Sequence, residues 1–270
     1  MIREANGLAE AESLLEELGV DRLPIVPSEI VDSINCPDYR VVIEYKSFDS
    51  EQFLGKAEGN ERAALIYINS NIPDQGRLNF TAAHEIGHVC MHIMTIKQLN
   101  FECGSRELSN PNNAPLEQEA NGFASGLLLP RQLVTKLTNG DLNWKNIKYI
   151  AESCKASLEA TYRRLMLLEN KPFALVIHKD GKYKRFKATE NFGFFIAQSP
   201  LSSEQKSSCV NALTEGFPDE FDEFDAEDWV NPVNKGYSLD VVYASSINLS
   251  KGYTYTLITY DDECLNDDDD

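Results

Sequence analysis

The sequence predicts an α+β fold: a helix-rich N-terminal part with a small sheet, followed by a smaller mixed α/β C-terminal part. Three observations predict it. Apolar residues recur at helical spacing through much of the first 169 residues. Two runs in that part, YRVVIEY (Tyr39 to Tyr45) and AALIYIN (Ala63 to Asn69), are rich in β-branched and aromatic residues and read as strands. Near Asn170 the character turns β-rich, which places a boundary between residues 1–169 and 170–270.

The elements follow in order. MIREANGLAEAESLLEELGV has no basic start and no unbroken apolar core, because glutamates recur among its leucines. It reads as an amphipathic helix and not as a secretory signal. In LPIVPSEIVDSI, Pro27 and Ser28 mark the start of a second, short helix with Ile30, Val31 and Ile34 as its apolar positions. The polar, glycine-containing stretch between the two predicted strands reads as a loop, and SNIPDQGR as a turn into a helix that runs to about Met94. After a polar loop from Gly104 to Pro115, Leu116, Ala120, Phe123, Ala124, Leu127 and Leu128 repeat with helical spacing until Pro130 closes the run. Two more helices are expected near Trp144 to Ser153 and Ser157 to Glu169. In the C-terminal part, ALVIHKDGKYKRF reads as a hairpin turning at Asp180-Gly181, GYTYTLITY as a strand with one buried face, and the terminal DDDD as a frayed, solvated tail.

Composition narrows the function. A chain of 270 residues can bury a core without a metal to hold it folded. No stretch reaches the roughly 18 uncharged apolar residues of a spanning helix, so a soluble protein without a membrane partner is expected. The six cysteines are scattered with no close pair, which suits a reducing cytoplasm and half-buried thiols. The formal charge is −18, and residues 201–270 hold 17 acidic against 3 basic residues, a net of −14. Such a surface repels phosphate backbones, so no direct nucleic-acid partner is expected and a basic protein suits it better.

The segment FTAAHEIGHVCMH carries the chemistry. His84 and His88, four apart on a helix, can direct ring nitrogens at one ion, and zinc accepts that geometry with a third protein ligand and an open position for water. Glu85 is rotated about 100° from His84, where its side chain can reach the water without ligating the ion. Glu117 is the expected third ligand, with Asn121 at i+4 on the same face to hydrogen-bond and orient a ligand histidine. Glu119 is the second choice, and Cys103 is a softer donor of a kind less usual in zinc peptidases. His92 has drifted about 80° from His84 and reads as a packing or rim residue, Cys90 faces away from the metal side, and His178 reads as a surface histidine.

FTAAHEIGHVCMH followed by EQEANGFASGLLLP resembles the paired signature of the ImmA/IrrE family of zinc metallopeptidases, FT-x-AHE-x-GH and E-x-x-AN-x-FA-x-x-LL-x-P. Arg77, the YIN of Tyr67 to Asn69 and SLEATYRRL are also similar, so the likeness covers roughly Ile25 to Leu168. It implies a zincin-like catalytic domain with Zn2+ on His84, His88 and Glu117 and with Glu85 as the catalytic carboxylate. Members are intracellular proteases of bacteria and phages that cleave repressors, often ones with a helix-turn-helix DNA-binding module. No such module is read here, so a separate DNA-binding repressor is the expected protein substrate.

Two other classes stay in view: a zinc-containing sensor that sequesters a partner without cutting it, and a zinc hydrolase acting on something smaller than a protein. The acidic, aromatic FPDEFDEFDAEDW (Phe217 to Trp229) reads first as an acidic face and second as a docking surface for a basic repressor. AALIYIN is expected to offer a sheet edge to an extended substrate strand.

Overall fold

The computed structural model describes residues 2–50, 52–96, 100–104, 115–138, 142–168, 171–234 and 236–267. It is α+β, as expected, and divides into two compact units: Met1–Asn139 with Ile150–Thr161, and Gly140–Tyr149 with Tyr162–Asp270.

The first unit opens with α1 (Ile2–Glu17) and α2 (Pro27–Ile34), whose first residue is a proline with its φ already set for a helix. Strands β1 (Arg40–Lys46), β2 (Phe53–Gly59), β3 (Ala63–Asn69) and β4 (Asn100–Gly104) form one sheet in the order β1-β3-β2-β4. β1 runs parallel to β3, and β2 is antiparallel to both β3 and β4.

Two expectations are corrected here. The stretch expected as a loop contains β2, hidden because Gly55, Lys56, Ala57 and Glu58 are residue types poor in strand preference, and pairing on both sides overrides that preference. Because β2 lies beside it, AALIYIN is an interior strand with both neighbours in place and offers no edge. The buried Asn69 side chain donates to the carbonyls of Ser50 (3.3 Å) and Phe53 (2.9 Å), tying the start of β2 to the end of β3.

α3 (Gln75–His88) starts at Asp74, whose carboxylate accepts from the Arg77 amide at 2.7 Å. The helix continues toward Met94 as expected, but not as regular α: Val89–Ile93 is a π-helical turn, followed by the short α4 (Met94–Ile96). α5 (Pro115–Leu128) and α6 (Arg131–Val134) follow, and α7 (Trp144–Cys154) and α8 (Leu158–Leu165) are each divided between the units. Of the loop expected from Gly104 to Pro115, Gly104 ends β4 and Pro115 begins α5, while residues 105–114 lie outside the described residues, as do the last three residues of the DDDD tail. Ala11, Ile66, Ile68, Ala82, Ile86, Phe123 and Leu127 are among the fully buried residues of this unit.

α1 and α5 pack main chain against main chain. A methyl group on Gly7 would lie 1.9 Å from the Glu119 carbonyl oxygen, and one on Gly122 would lie 2.0 Å from that of Glu4. Only glycine permits that approach at these two points.

In the second unit, β5 (Phe173–Lys179) and β6 (Lys182–Ala188) form the expected hairpin, turning at Asp180 and Gly181, both with positive φ. β7 (Phe195–Ile196), α9 (Ser203–Ser207), β8 (Val210–Asn211), β9 (Asp222–Asp225), β10 (Val230–Asn231), β11 (Val233–Asn234), β12 (Tyr237–Leu239), β13 (Val241–Asn248), β14 (Tyr253–Thr259) and β15 (Leu265–Asp267) follow. The main sheet runs β6-β5-β14-β13-β8, with β9 also on β13. GYTYTLITY therefore becomes β14, an interior strand. Val176, Phe192, Phe224, Trp229, Val242 and Ile258 belong to the core of this unit. Trp144 is buried too, and its indole N–H donates to the Ser245 carbonyl at 2.7 Å. In FPDEFDEFDAEDW the aromatic Phe224 and Trp229 point inward, while Asp219, Glu220, Asp222, Glu223, Asp225 and Glu227 are exposed, an acidic face. Among the described residues, no helix is long and apolar enough to cross a membrane.

Candidate metal centre

Helical spacing puts His84 and His88 one turn apart on the buried face of α3, with ring centroids 4.7 Å apart and the rings edge to face. α5 packs against α3 and brings Glu117 from its first turn. The two histidine Nε2 atoms are 3.0 Å apart, and each stands 3.2 Å from a different oxygen of Glu117. These three donors form a group that could hold a metal ion.

Hydrogen bonds behind the rings tell which nitrogens face inward. His84 Nδ1 is 3.0 Å from Asn121 Oδ1, an acceptor, so Nδ1 carries the proton and Nε2 presents a lone pair. Burial lowers the pKa of His88 to about 4, so its ring is neutral at pH 7 and has one N–H to place. That N–H lies at Nδ1, 2.9 Å from His92 Nδ1, because His92 Nε2 must donate to the Glu119 carboxylate at 3.2 Å.

Two imidazole lone pairs and a carboxylate therefore converge with no hydrogen among them, an arrangement that repels itself unless a cation lies between. Ligands on a tetrahedral zinc with bonds of about 2.0–2.1 Å stand about 3.3 Å apart, close to the spacings found here. The donor set fits such an ion.

Glu85 is completely buried, and among the described residues neither carboxylate oxygen has a hydrogen-bond partner. Burial, and secondarily the charge of Glu117, push its pKa well above the usual carboxylate value. β2 crosses directly over it: a methyl group on Gly55 would lie 3.0 Å from Glu85 Oε1 and 2.9 Å from Thr81 Cγ2. A glycine here lets the strand pass over the carboxylate without displacing it.

The other candidates fall elsewhere. Glu119 points to His92 and to Arg3, 2.6 Å from its guanidinium, and lies outside the three-donor group. His92 is 1 % exposed, so it is a packed residue and not a rim one, and it contacts the histidine behind the group. The side chain of Cys103 lies outside the described residues. Cys90 is not among the grouped donors, and burial pushes its thiol up to about 12. His178, expected on the surface, is 2 % exposed: Tyr183 and Trp229 pack edge to face against its ring at 6.2 and 6.3 Å. An apolar core that closes over a hairpin residue is not readable from the hairpin pattern. The pairing of His92 with Glu119 and Arg3 was missed as well; the continuation of the four-residue histidine spacing from His88 to His92 is the signal that could have found it.

With this geometry in place, comparison with protein families gives a match to the IrrE N-terminal-like domain, a peptidase family, over residues 36–166. Residues 36–166 belong to the IrrE N-terminal-like domain family. The IrrE N-terminal-like domain holds all three grouped donors together with Glu85, Asn121, His92 and Glu119, whereas α1 and Arg3 precede it. No curated protein matches the chain. Among solved structures, a Mycobacterium tuberculosis transcriptional regulator shares the fold, with a TM-score of 0.53 at 15 % identity over 94 % of this chain and 75 % of that one.

Proposed function

We propose that the protein is a zinc-dependent endopeptidase that cuts a specific intracellular protein. The observation that carries this reading is the convergence of His84, His88 and Glu117 beside a buried carboxylate, Glu85, that has no hydrogen-bond partner among the described residues. Zinc held there would lower the pKa of a bound water from about 15.7 to about 7 and polarise the scissile carbonyl. Glu85 takes the proton from the attacking water and returns it to the leaving amine. Its burial beneath β2 keeps competing water away from that proton, and Asn121 holds the His84 ring in the tautomer that leaves Nε2 free.

Residues 1–169 act as the catalytic domain in this reading, and residues 170–270 as an acidic domain that engages the substrate. A DNA-binding repressor in the cytoplasm is the proposed substrate. The family resemblance supports it, and a formal charge of −18 favours a basic partner while disfavouring direct contact with DNA.

Glu85→Gln tests the reading. Zinc measured by elemental analysis should stay near one per chain, while cleavage of the substrate, followed on gels and by mass spectrometry, should fall by a factor of about 10² to 10⁴. Stoichiometric zinc with no cleavage of any repressor by the wild type would favour a sequestering sensor. Turnover of short peptides without a macromolecular partner would favour the small-substrate hydrolase.

A further inference from the structure

We infer that Arg3, Glu119 and His92 form a positioning chain that fixes the tautomer and ring orientation of His88, and that α1, which precedes the family domain, closes it. The inference rests on the metal-centre reading above and deepens it. The chain begins at Arg3, 2.6 Å from Glu119 Oε1. Glu119 Oε2 accepts from His92 Nε2 at 3.2 Å, and His92 Nδ1 accepts from His88 Nδ1 at 2.9 Å.

Each link has one direction. A guanidinium only donates and a carboxylate only accepts, so His92 must carry its hydrogen on Nε2. A neutral imidazole has one such hydrogen, which leaves the His92 Nδ1 lone pair to receive the His88 N–H. His88 Nε2 is thereby committed as a lone pair toward His84 and Glu117. In solution a free histidine is not held to that tautomer, and hydrogen bonds behind a ligand ring are a general means of fixing it.

Two features of the fold make the chain possible. The π-helical turn Val89–Ile93 widens the helix by one residue immediately after His88, which alters the angular position a regular helix would assign to His92. The contact of Gly7 with the main chain at Glu119, and of Gly122 with the main chain at Glu4, sets the register of α1 on α5 and so brings Arg3 onto Glu119. The matched residues 36–166 thus contain every part of the chain except its first member.

Asn121 does the same for His84 with a single amide, so the two ligand histidines are held by different devices. His84 is oriented from within α5 alone. His88 depends on three side chains, one each from the π-helical turn, α5 and α1.

The test combines zinc titration against a competing chelator with ¹⁵N imidazole shifts recorded on the metal-free protein. The proteins compared are the full-length wild type, His92→Ala, His92→Gln and Arg3→Ala. Zinc affinity should fall about 10- to 100-fold in His92→Ala. It should recover most of that loss in His92→Gln, whose amide oxygen can accept from His88 and whose amide nitrogen can donate to Glu119. Arg3→Ala should weaken zinc by less than His92→Ala. Because the Arg3 side chain is 54 % exposed, its removal leaves the fold in place should His92→Ala fail to fold.

In the metal-free wild type the ¹⁵N shifts should place the His88 hydrogen on Nδ1, and His92→Ala should move it toward Nε2. A merely structural His92 would leave that tautomer unchanged. Zinc affinity within about twofold of wild type in His92→Ala, with the same His88 tautomer, overturns the inference. If the wild type itself fails to take up zinc, the proposed function falls, while the metal-free spectra still decide the positioning chain.

Discussion

In the first unit His84, His88 and His92 are buried with both nitrogens of each ring facing a named polar atom, whereas in the second unit His178 is buried with only one nitrogen so placed. His178 Nε2 donates to the Ser199 carbonyl at 3.2 Å, and its Nδ1 has no partner among the described residues. Its neighbours are rings, Tyr183 and Trp229, where those of the other three are Glu117, Glu119 and Asn121. Burial lowers the pKa of His88, His92 and His178 alike, so burial by itself does not tell a site from a core. The difference lies in what the nitrogens face: directed acceptors in one unit, and a packed aromatic wall in the other. A buried polar group is costly unless it is satisfied, so a cluster of fully addressed histidines indicates a site built to hold something.

The comparison can be broken most decisively at Glu117. Glu117→Ala should reduce bound zinc from about one per chain to a small fraction of that, because two histidines alone leave a tetrahedral ion short of a protein ligand. Elemental analysis after extensive dialysis reads the change, and full zinc retention would show that the three donors are not the site. A smaller effect is expected at Gly122→Ala, where the added methyl group would lie 2.0 Å from the Glu4 carbonyl oxygen. Forcing α1 away from α5 should cost about 1–3 kcal/mol, measured by denaturant unfolding, and an unchanged midpoint would mean that the two helices do not need their close register.

The smallest effect belongs to His178. Its folded pKa is lowered below the ordinary value of 6.5 by burial, so the unfolded chain binds a proton that the folded one resists. The stability this neutral ring permits is complete above pH 6.5 and declines as the pH falls below it. His178→Leu should leave zinc content unchanged and flatten the loss of melting temperature between pH 7 and pH 5 by roughly a few degrees or less. A mutant whose melting temperature falls as steeply with acid as that of the wild type would remove His178 from the account.

Local pattern made much of this protein legible. The turn read in SNIPDQGR, the four-residue spacing of His84 and His88 and the helical repeat through Leu128 placed α3 and α5 because each depends on residues within a turn or two. Asp180-Gly181 placed the hairpin because a tight turn needs positive φ there, and only a few residue types accept it readily. β2 was not legible, since FLGKAEG carries little strand preference and becomes a strand through two neighbours distant in sequence. The interior place of AALIYIN and the burial of His178 were hidden for the same reason: each depends on what lies alongside.

By itself, then, the sequence determined the helices, the order of the chemistry along them, the acidic balance and the two histidines that share a helical face. Glu117 was expected beside those histidines, but tertiary structure alone decided that Glu119 turns to His92 and Arg3 and that β2 passes over Glu85 at Gly55. Helical spacing is fixed by bonds a few residues apart, so it can be read from the chain. The meeting of α1, α3 and α5 is fixed by close packing between segments more than 25 residues apart, where a methyl group added to Gly7 or Gly122 would collide with the facing main chain.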